Sequence, residues 1–200
     1  TTDGCAAFLA TGATAFGDGV TSLGSTLVVK ILSDQPIFVP EYGIYSHRIG
    51  DQWLLGGASN TGGNVLTHFF SDEELIRHSR NINPKTQINL DYYPLLKAGE
   101  RFPINDPAFP PRLEPKPPDD QTFLHGLLLG MSKVEALAYN RLKELGGPDL
   151  KSLRTVGGGS KNSVWTALRQ KQIPVPIQNV ASDQAAAGAA RLAWKGLLSI

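Results

Sequence analysis

Eight of the fourteen prolines fall between residues 94 and 118. No helix or sheet strand survives that density, because each proline removes a backbone donor and fixes φ. The segment is too long for an ordinary connection, so it reads as packed irregular structure or a functional loop. It divides the chain into two halves with different patterns. Before it, the apolar positions and turn signals are those of hairpins and short helices. After it, strands and helices alternate.

In the first half, residues 5–12 read as a short apolar helix closed by Gly12, with Asp3 or Thr2 as N-cap. Gly17-Asp18-Gly19 is a turn signal. Residues 20–33 are rich in Val, Leu and Ile and predict two strands that meet at a tight turn near Gly24. Residues 42–49 and 52–57 predict a second hairpin, turning at Gly50-Asp51. Residues 61–70 and 72–80 read as helices, the second opened by Ser71 with Glu74 three positions on, a capping box.

After the prolines, residues 119–146 carry apolar positions at helical spacing, ended by Gly146-Gly147-Pro148. Leu153 to Val156 reads as a strand, followed by a glycine-rich turn and a helix over 162–171. Val175 to Val180 reads as another strand, followed by a helix over 183–197. Strand–helix–strand–helix implies parallel pairing with a right-handed crossover. A mixed sheet flanked by helices, begun by hairpins and finished by such units, makes an α/β domain. That order resembles the ribonuclease-H-like, actin-like ATPase fold.

The 200 residues have a formal net charge of +1, 41% hydrophobic and 18% charged residues. This is the balance of a folded globular chain, with no broad charge to attract nucleic acid or acidic membranes. No apolar run approaches the length of a membrane span. Cys5 stands alone, so no disulfide forms within the chain, which suggests a reducing compartment such as the cytoplasm, or the chloroplast in a plant. The opening lacks an initiator methionine, so the chain is expected to begin inside a longer sequence.

Several positions suit chemistry. Gly157-Gly158-Gly159-Ser160-Lys161-Asn162 lies between a strand and a helix, where a backbone without Cβ atoms approaches a ligand and a helix start offers N–H groups to an anion. It has neither the P-loop nor the dinucleotide spacing, and the same run also serves a plain strand–helix connection. Trp165, one turn on, suits either the flank of an adenine ring or the core. Ser22-Leu23-Gly24-Ser25-Thr26 gathers N–H groups and hydroxyls at one point, as a phosphate needs, or is an ordinary hairpin. Asp3 is a helix cap, or a carboxylate placed to take a proton from an attacking hydroxyl. Asp183 reads as a cap, Cys5 as packing, and the four histidines lack metal-ligand spacing.

In order, these pieces resemble the C-terminal domain of the FGGY carbohydrate kinases. Asp3 with Gly12 is similar to the family's catalytic aspartate segment, and Ser22 to Thr26 to its second phosphate motif. Gly99-Glu100-Arg101-Phe102-Pro103 with Asp106-Pro107 is similar to its Gly-Glu-Arg-x-Pro…Asp-Pro stretch. Gly157 to Asn162 with Trp165 is similar to its adenosine motif. The Thr1-Thr2-Asp3-Gly4-Cys5 opening and the run from Gly56 to Gly63 are similar to the plant and cyanobacterial D-ribulose kinase and xylulose kinase-like group. One departure is Leu129-Gly130, where family members often have Glu-Gly.

The resemblance implies that residues 1–200 are the ATP-binding half of a two-domain sugar kinase whose N-terminal, sugar-binding domain is absent. It implies ATP and Mg²⁺ as cofactors and a ketopentose, D-ribulose first, as substrate. Gly24, Ser25 and Thr26 would hold phosphates. Gly158, Gly159, Asn162 and Trp165 would hold adenosine. Asp3 would be the catalytic base, and the 200 residues alone would be inactive. No protein residue is assigned to the metal, no membrane or nucleic acid is expected, and a homodimer is a candidate assembly. Kinases for xylulose or glycerol, and a non-catalytic actin-like nucleotide-binding module, are the alternative readings.

Overall fold

The structure is a computed structural model that describes residues 2–197. Helix α1 (Asp3–Ala10) opens it, capped by Thr2, whose hydroxyl accepts from the Cys5 N–H. Asp3 is therefore in the first turn and is not the cap. Gly17 supplies the turn that follows, while Asp18 and Gly19 already belong to strand β1 (Asp18–Leu23). Strand β2 (Leu27–Ser33) returns antiparallel to it, as the turn near Gly24 predicts.

Strands β3 (His47–Ile49) and β4 (Gln52–Ala58) form the second hairpin around Gly50-Asp51. β3 is shorter than expected, because Pro40–Tyr42 winds into a single 3-10 turn. Helices α2 (Gly63–Phe69) and α3 (Asp72–Asn81) follow, α3 with both halves of its Ser71/Glu74 capping box in place. The proline-rich stretch forms no helix or strand, yet it is anchored. The buried Glu100 carboxylate accepts from the Ser59 hydroxyl (2.6 Å), the Asn60 N–H (2.8 Å) and the Tyr93 hydroxyl (2.9 Å). Satisfied this way, a buried charge escapes most of its desolvation cost.

Helix α4 (Asp120–Glu144) is the longest element, capped by Asp119. Strand β5 (Ser152–Val156) leads through Gly157 to a 3-10 turn and helix α5 (Ser163–Gln172). The chain then runs as an irregular connection to helix α6 (Ala185–Leu197). Asp183 stands just before α6, where it accepts from the Gln184 side-chain amide.

The sheet has the order β3-β4-β2-β1-β5, with β5 parallel to β1 and the other pairs antiparallel. The expected strand at 175–180 is reduced to one parallel bridge, Leu153 to Ile177. Pro174 and Pro176 carry no N–H, and the Val175 N–H turns back to the Ile173 carbonyl, so the ladder cannot extend. The parallel, crossover-linked partner of β5 is β1 instead.

Strand alternation sorts the side chains into two layers. Leu23, Leu27, Val29, Ile31, Leu55 and Leu153 pack with α4 and α5 in the main core. Val20, Leu32 and Leu54 face the other way, onto Cys5 and Phe8 of α1. Leu124, Leu127, Leu128 and Met131 of α4 are fully buried, each stabilising the fold by about 1.5–3 kcal/mol relative to exposure. α6 lies across α1 so closely that a Cβ on Gly188 would fall 1.8 Å from the Ala6 carbonyl oxygen. The mixed sheet between helical layers is the α/β, ribonuclease-H-like arrangement expected from the element order. Among the described residues no helix is long and apolar enough to cross a membrane.

Candidate functional site

Strands β1 and β5 run parallel, so the turns that leave their C-terminal ends emerge side by side. Gly157 sits at the contact. Its φ is +87°, and a Cβ there would come within 2.7 Å of the Leu23 carbonyl oxygen and 3.2 Å of the Gly24 N. Only glycine takes that backbone conformation and that approach without strain. The two glycine-centred corners singled out in the sequence are thus in direct contact.

Both corners line one cavity of about 940 Å³, large enough for a sizeable small-molecule ligand. Gly24 and Ser25 form one wall, and Gly158, Gly159, Asn162 and Trp165 another. Thr26 is not among the lining residues. The Gly24 and Ser25 carbonyls accept from the N–H groups of Gly63 (2.8 Å) and Asn64 (3.1 Å) at the start of α2. The hairpin tip is thereby fixed against that helix.

Trp165 lies deeper than its sequence position suggests. It is 1% exposed, with its ring packed against Gly159, and it forms the cavity floor. Its indole N–H is buried without a partner among the described residues. Asn162 uses its side chain twice. Its Oδ1 accepts from the Trp165 N–H (3.0 Å), capping α5, and its Nδ2 donates to the Ser79 hydroxyl (2.8 Å), tying α3 to the corner.

That tie brings in residues that sequence reasoning missed. Ile76 of α3, 55% exposed, presents apolar surface to the cavity, and Arg80 and Lys161 bring cations to its lining. Asp72 is the acid in the same lining. Two cations against one carboxylate, beside the N-terminus of α5, favour an anionic ligand. The one available signal was the apolar pair Leu75-Ile76, only one of which the core of an amphipathic helix absorbs.

Asp3 does not line this cavity. It is exposed on the first turn of α1, on the opposite face of the sheet from α4 and α5, with Lys30 of β2 as its charged neighbour. Among the described residues no group of three or more His, Cys, Asp or Glu side chains is placed to hold a metal. A cation carried on ligand phosphates and waters needs no such cage, and one carboxylate suffices.

Residues 19–197 match the model of the FGGY family of carbohydrate kinases, C-terminal domain. A xyloylose kinase from Brucella ovis superposes with a TM-score of 0.82 at 23% identity, over 99% of this chain and 43% of its own. The xylulose kinase from Bifidobacterium adolescentis gives 0.78 at 21% identity, over 99% and 40%. Plasmodium falciparum glycerol kinase with ADP gives 0.70 at 13% identity, over 94% and 40%. The chain spans less than half the length of these proteins, and at such identities the likeness is one of fold.

Proposed function

We propose a function that proceeds from one premise: the chain belongs to the FGGY family of carbohydrate kinases. In this reading it is the nucleotide-binding half of a two-domain enzyme that phosphorylates a ketopentose, D-ribulose first, with ATP. The observation that carries the reading is the contact of Gly157 with Leu23 and Gly24, which joins two glycine corners around one cavity. A glycerol kinase of similar fold was solved with ADP, which agrees with a nucleotide there.

Phosphoryl transfer depends on positioning and charge neutralisation more than on covalent chemistry by the protein. The adenosine end would lie over Gly158 and Gly159, with Trp165 as floor, Ile76 as apolar wall and Asn162 holding the corner in shape. The phosphates would meet the N–H groups of Gly24 and Ser25 and the Ser25 hydroxyl at the hairpin tip, with Thr26 following outside the lining and Lys161 and Arg80 adding positive charge. Mg²⁺, when bound, would neutralise the phosphates, with Asp72 or Asp3 as the available carboxylates.

Asp3 would accept the proton of the sugar's terminal hydroxyl. As that oxygen bonds to the γ-phosphorus, the bond from phosphorus to the bridging oxygen breaks and ADP departs with its electron pair. Because Asp3 stands apart from the cavity lining, the sugar and the γ-phosphate would meet at the end of the site nearest α1. The preceding domain would supply most sugar contacts and exclude water on closure.

A coupled assay on the two-domain protein with D-ribulose, D-xylulose and glycerol tests the reading. Turnover highest with D-ribulose supports it. Preference for D-xylulose, with a xylulose kinase among the neighbours of similar fold, moves the substrate within the same chemistry. ATP binding with no turnover on any of the three favours a non-catalytic nucleotide module.

A further inference from the structure

Helix α3 lines the cavity with one face, on which Ile76 and Ser79 stand three residues apart. Three residues span about 4.5 Å of helix, so a flat ring laid against Ile76 has an edge at Ser79. Ser79 is 8% exposed, and its hydroxyl is held in one role.

The bonds that fix that role start at the cap of α5. The Trp165 backbone N–H donates to the Asn162 Oδ1 (3.0 Å), which leaves Nδ2 as the end of the amide that faces Ser79. Nδ2 donates to the Ser79 hydroxyl oxygen (2.8 Å). The amide cannot turn over without losing the cap. The Ser79 oxygen is therefore an acceptor toward Asn162, and its own proton is left to another partner. Among the described residues no protein acceptor takes it. Ser132 of α4 shows the usual alternative, with its proton spent on the Leu128 carbonyl four residues back (2.7 Å).

We propose that Ser79 reads the nucleobase, its hydroxyl donating to a ring nitrogen of adenine while Asn162 fixes the direction of that donor. The inference rests on the reading of the cavity as the ATP site. A largely buried donor loses its water when a ligand closes over it, and only an acceptor on the ligand offsets that loss. The ring nitrogens of adenine are such acceptors. A base with C–H at the same place leaves the hydroxyl unpaired, so selection comes from the cost of an unsatisfied proton as well as from shape.

The test uses the two-domain enzyme, native and with Ser79→Ala or Asn162→Asp, each checked by thermal melting. ATP and three deaza analogues, with C–H in place of N1, N3 or N7, are titrated by calorimetry. In the native enzyme one analogue is expected to bind about fivefold weaker than ATP, the scale of one hydrogen bond. In Ser79→Ala, ATP should weaken by a similar factor and that analogue no further, so that the two affinities meet. A merely structural Ser79 would weaken all four nucleotides alike. Asn162→Asp keeps a cap for α5 and keeps the Ser79 hydroxyl, but its carboxylate takes the hydroxyl proton. The ratio should collapse there too, whatever the added charge does to both affinities. A native ratio for every analogue in Ser79→Ala or in Asn162→Asp overturns the proposal, as does equal binding of all four nucleotides by the native enzyme. If Ser79→Ala does not fold, Asn162→Asp decides by the same ratio. No ATP binding by the folded native enzyme removes the nucleotide reading and this inference together. ATP binding with ratios that neither variant changes removes this inference alone.

Discussion

Arg169 of α5 and Glu135 of α4 form an ion pair with no exposed surface, Nε to Oε2 at 2.5 Å and Nη2 to Oε1 at 2.7 Å. The pair reaches both strands that carry the glycine corners. The Thr21 hydroxyl of β1 donates to the Glu135 Oε1, and Arg169 Nη1 donates to the Thr155 hydroxyl of β5 at 2.8 Å. Thr21 is two residues before Leu23 and Thr155 two before Gly157, so four elements are pinned directly behind the cavity. Burial, helped by the same carboxylate, holds the Tyr139 phenol far above its usual pKa, and that hydroxyl lies 3.0 Å from Thr21.

Breaking this pair on one side strands a buried charge. Arg169→Met or Glu135→Leu is expected to cost about 3–5 kcal/mol of unfolding free energy in a denaturant titration. The double variant should recover a large part of that loss, since apolar residues of similar volume replace a buried pair at little cost. Additive losses in the double variant would mean that the two residues act independently.

His125 gives the fold a pH dependence. It is buried in α4, its Nε2 has no partner among the described residues, and burial, helped by Lys171, pulls its pKa below the usual value. The folded state therefore holds the neutral ring more firmly than the unfolded chain does. Stability is complete above the unfolded value of about 6.5 and declines as pH falls through and below it, because the unfolded chain takes up a proton first. Melting followed from pH 7.5 to 5 should show this decline, and His125→Leu should flatten it. An unchanged slope in the variant would place the dependence elsewhere.

The crossing of α6 over α1 depends on Gly188. Gly188→Ala puts a methyl where the Ala6 carbonyl stands, at 1.8 Å, so α6 must shift. A loss of about 1–3 kcal/mol is expected, the usual cost of overpacking. Because α1 carries Asp3, turnover should fall more than ATP affinity does. Native stability and turnover in this variant would mean that the crossing relaxes freely.

Much of the fold was legible. Gly24 and Gly50-Asp51 marked the hairpins, Ser71 and Glu74 the start of α3, and the spacing from Phe123 to Leu142 the long helix. Val175 to Val180 read as a strand, but Pro174 and Pro176 removed the donors that a ladder needs. The cap of α1 is Thr2, which adjacent Thr and Asp residues left open. The two corners were visible at Gly24 and at Gly157 to Gly159, because close backbone approach restricts residue type. The rest of the site was not. Ile76 and Arg80 line the cavity where Asn162 binds Ser79, 83 residues away, and Glu135 meets Arg169 across 34 residues. Such partners are set by tertiary packing and leave no local pattern.

The central claim is that the cavity between the two corners holds ATP with its backbone close to Gly158. A Cβ on Gly158 would meet no protein atom within 4 Å, so Gly158→Ala is expected to leave the melting temperature unchanged. Calorimetric titration of ATP into the native protein should give one binding site, and Gly158→Ala should weaken it by about tenfold, the scale of one lost close contact. Equal affinity in the two proteins, or no ATP binding by the folded native protein, would contradict the account.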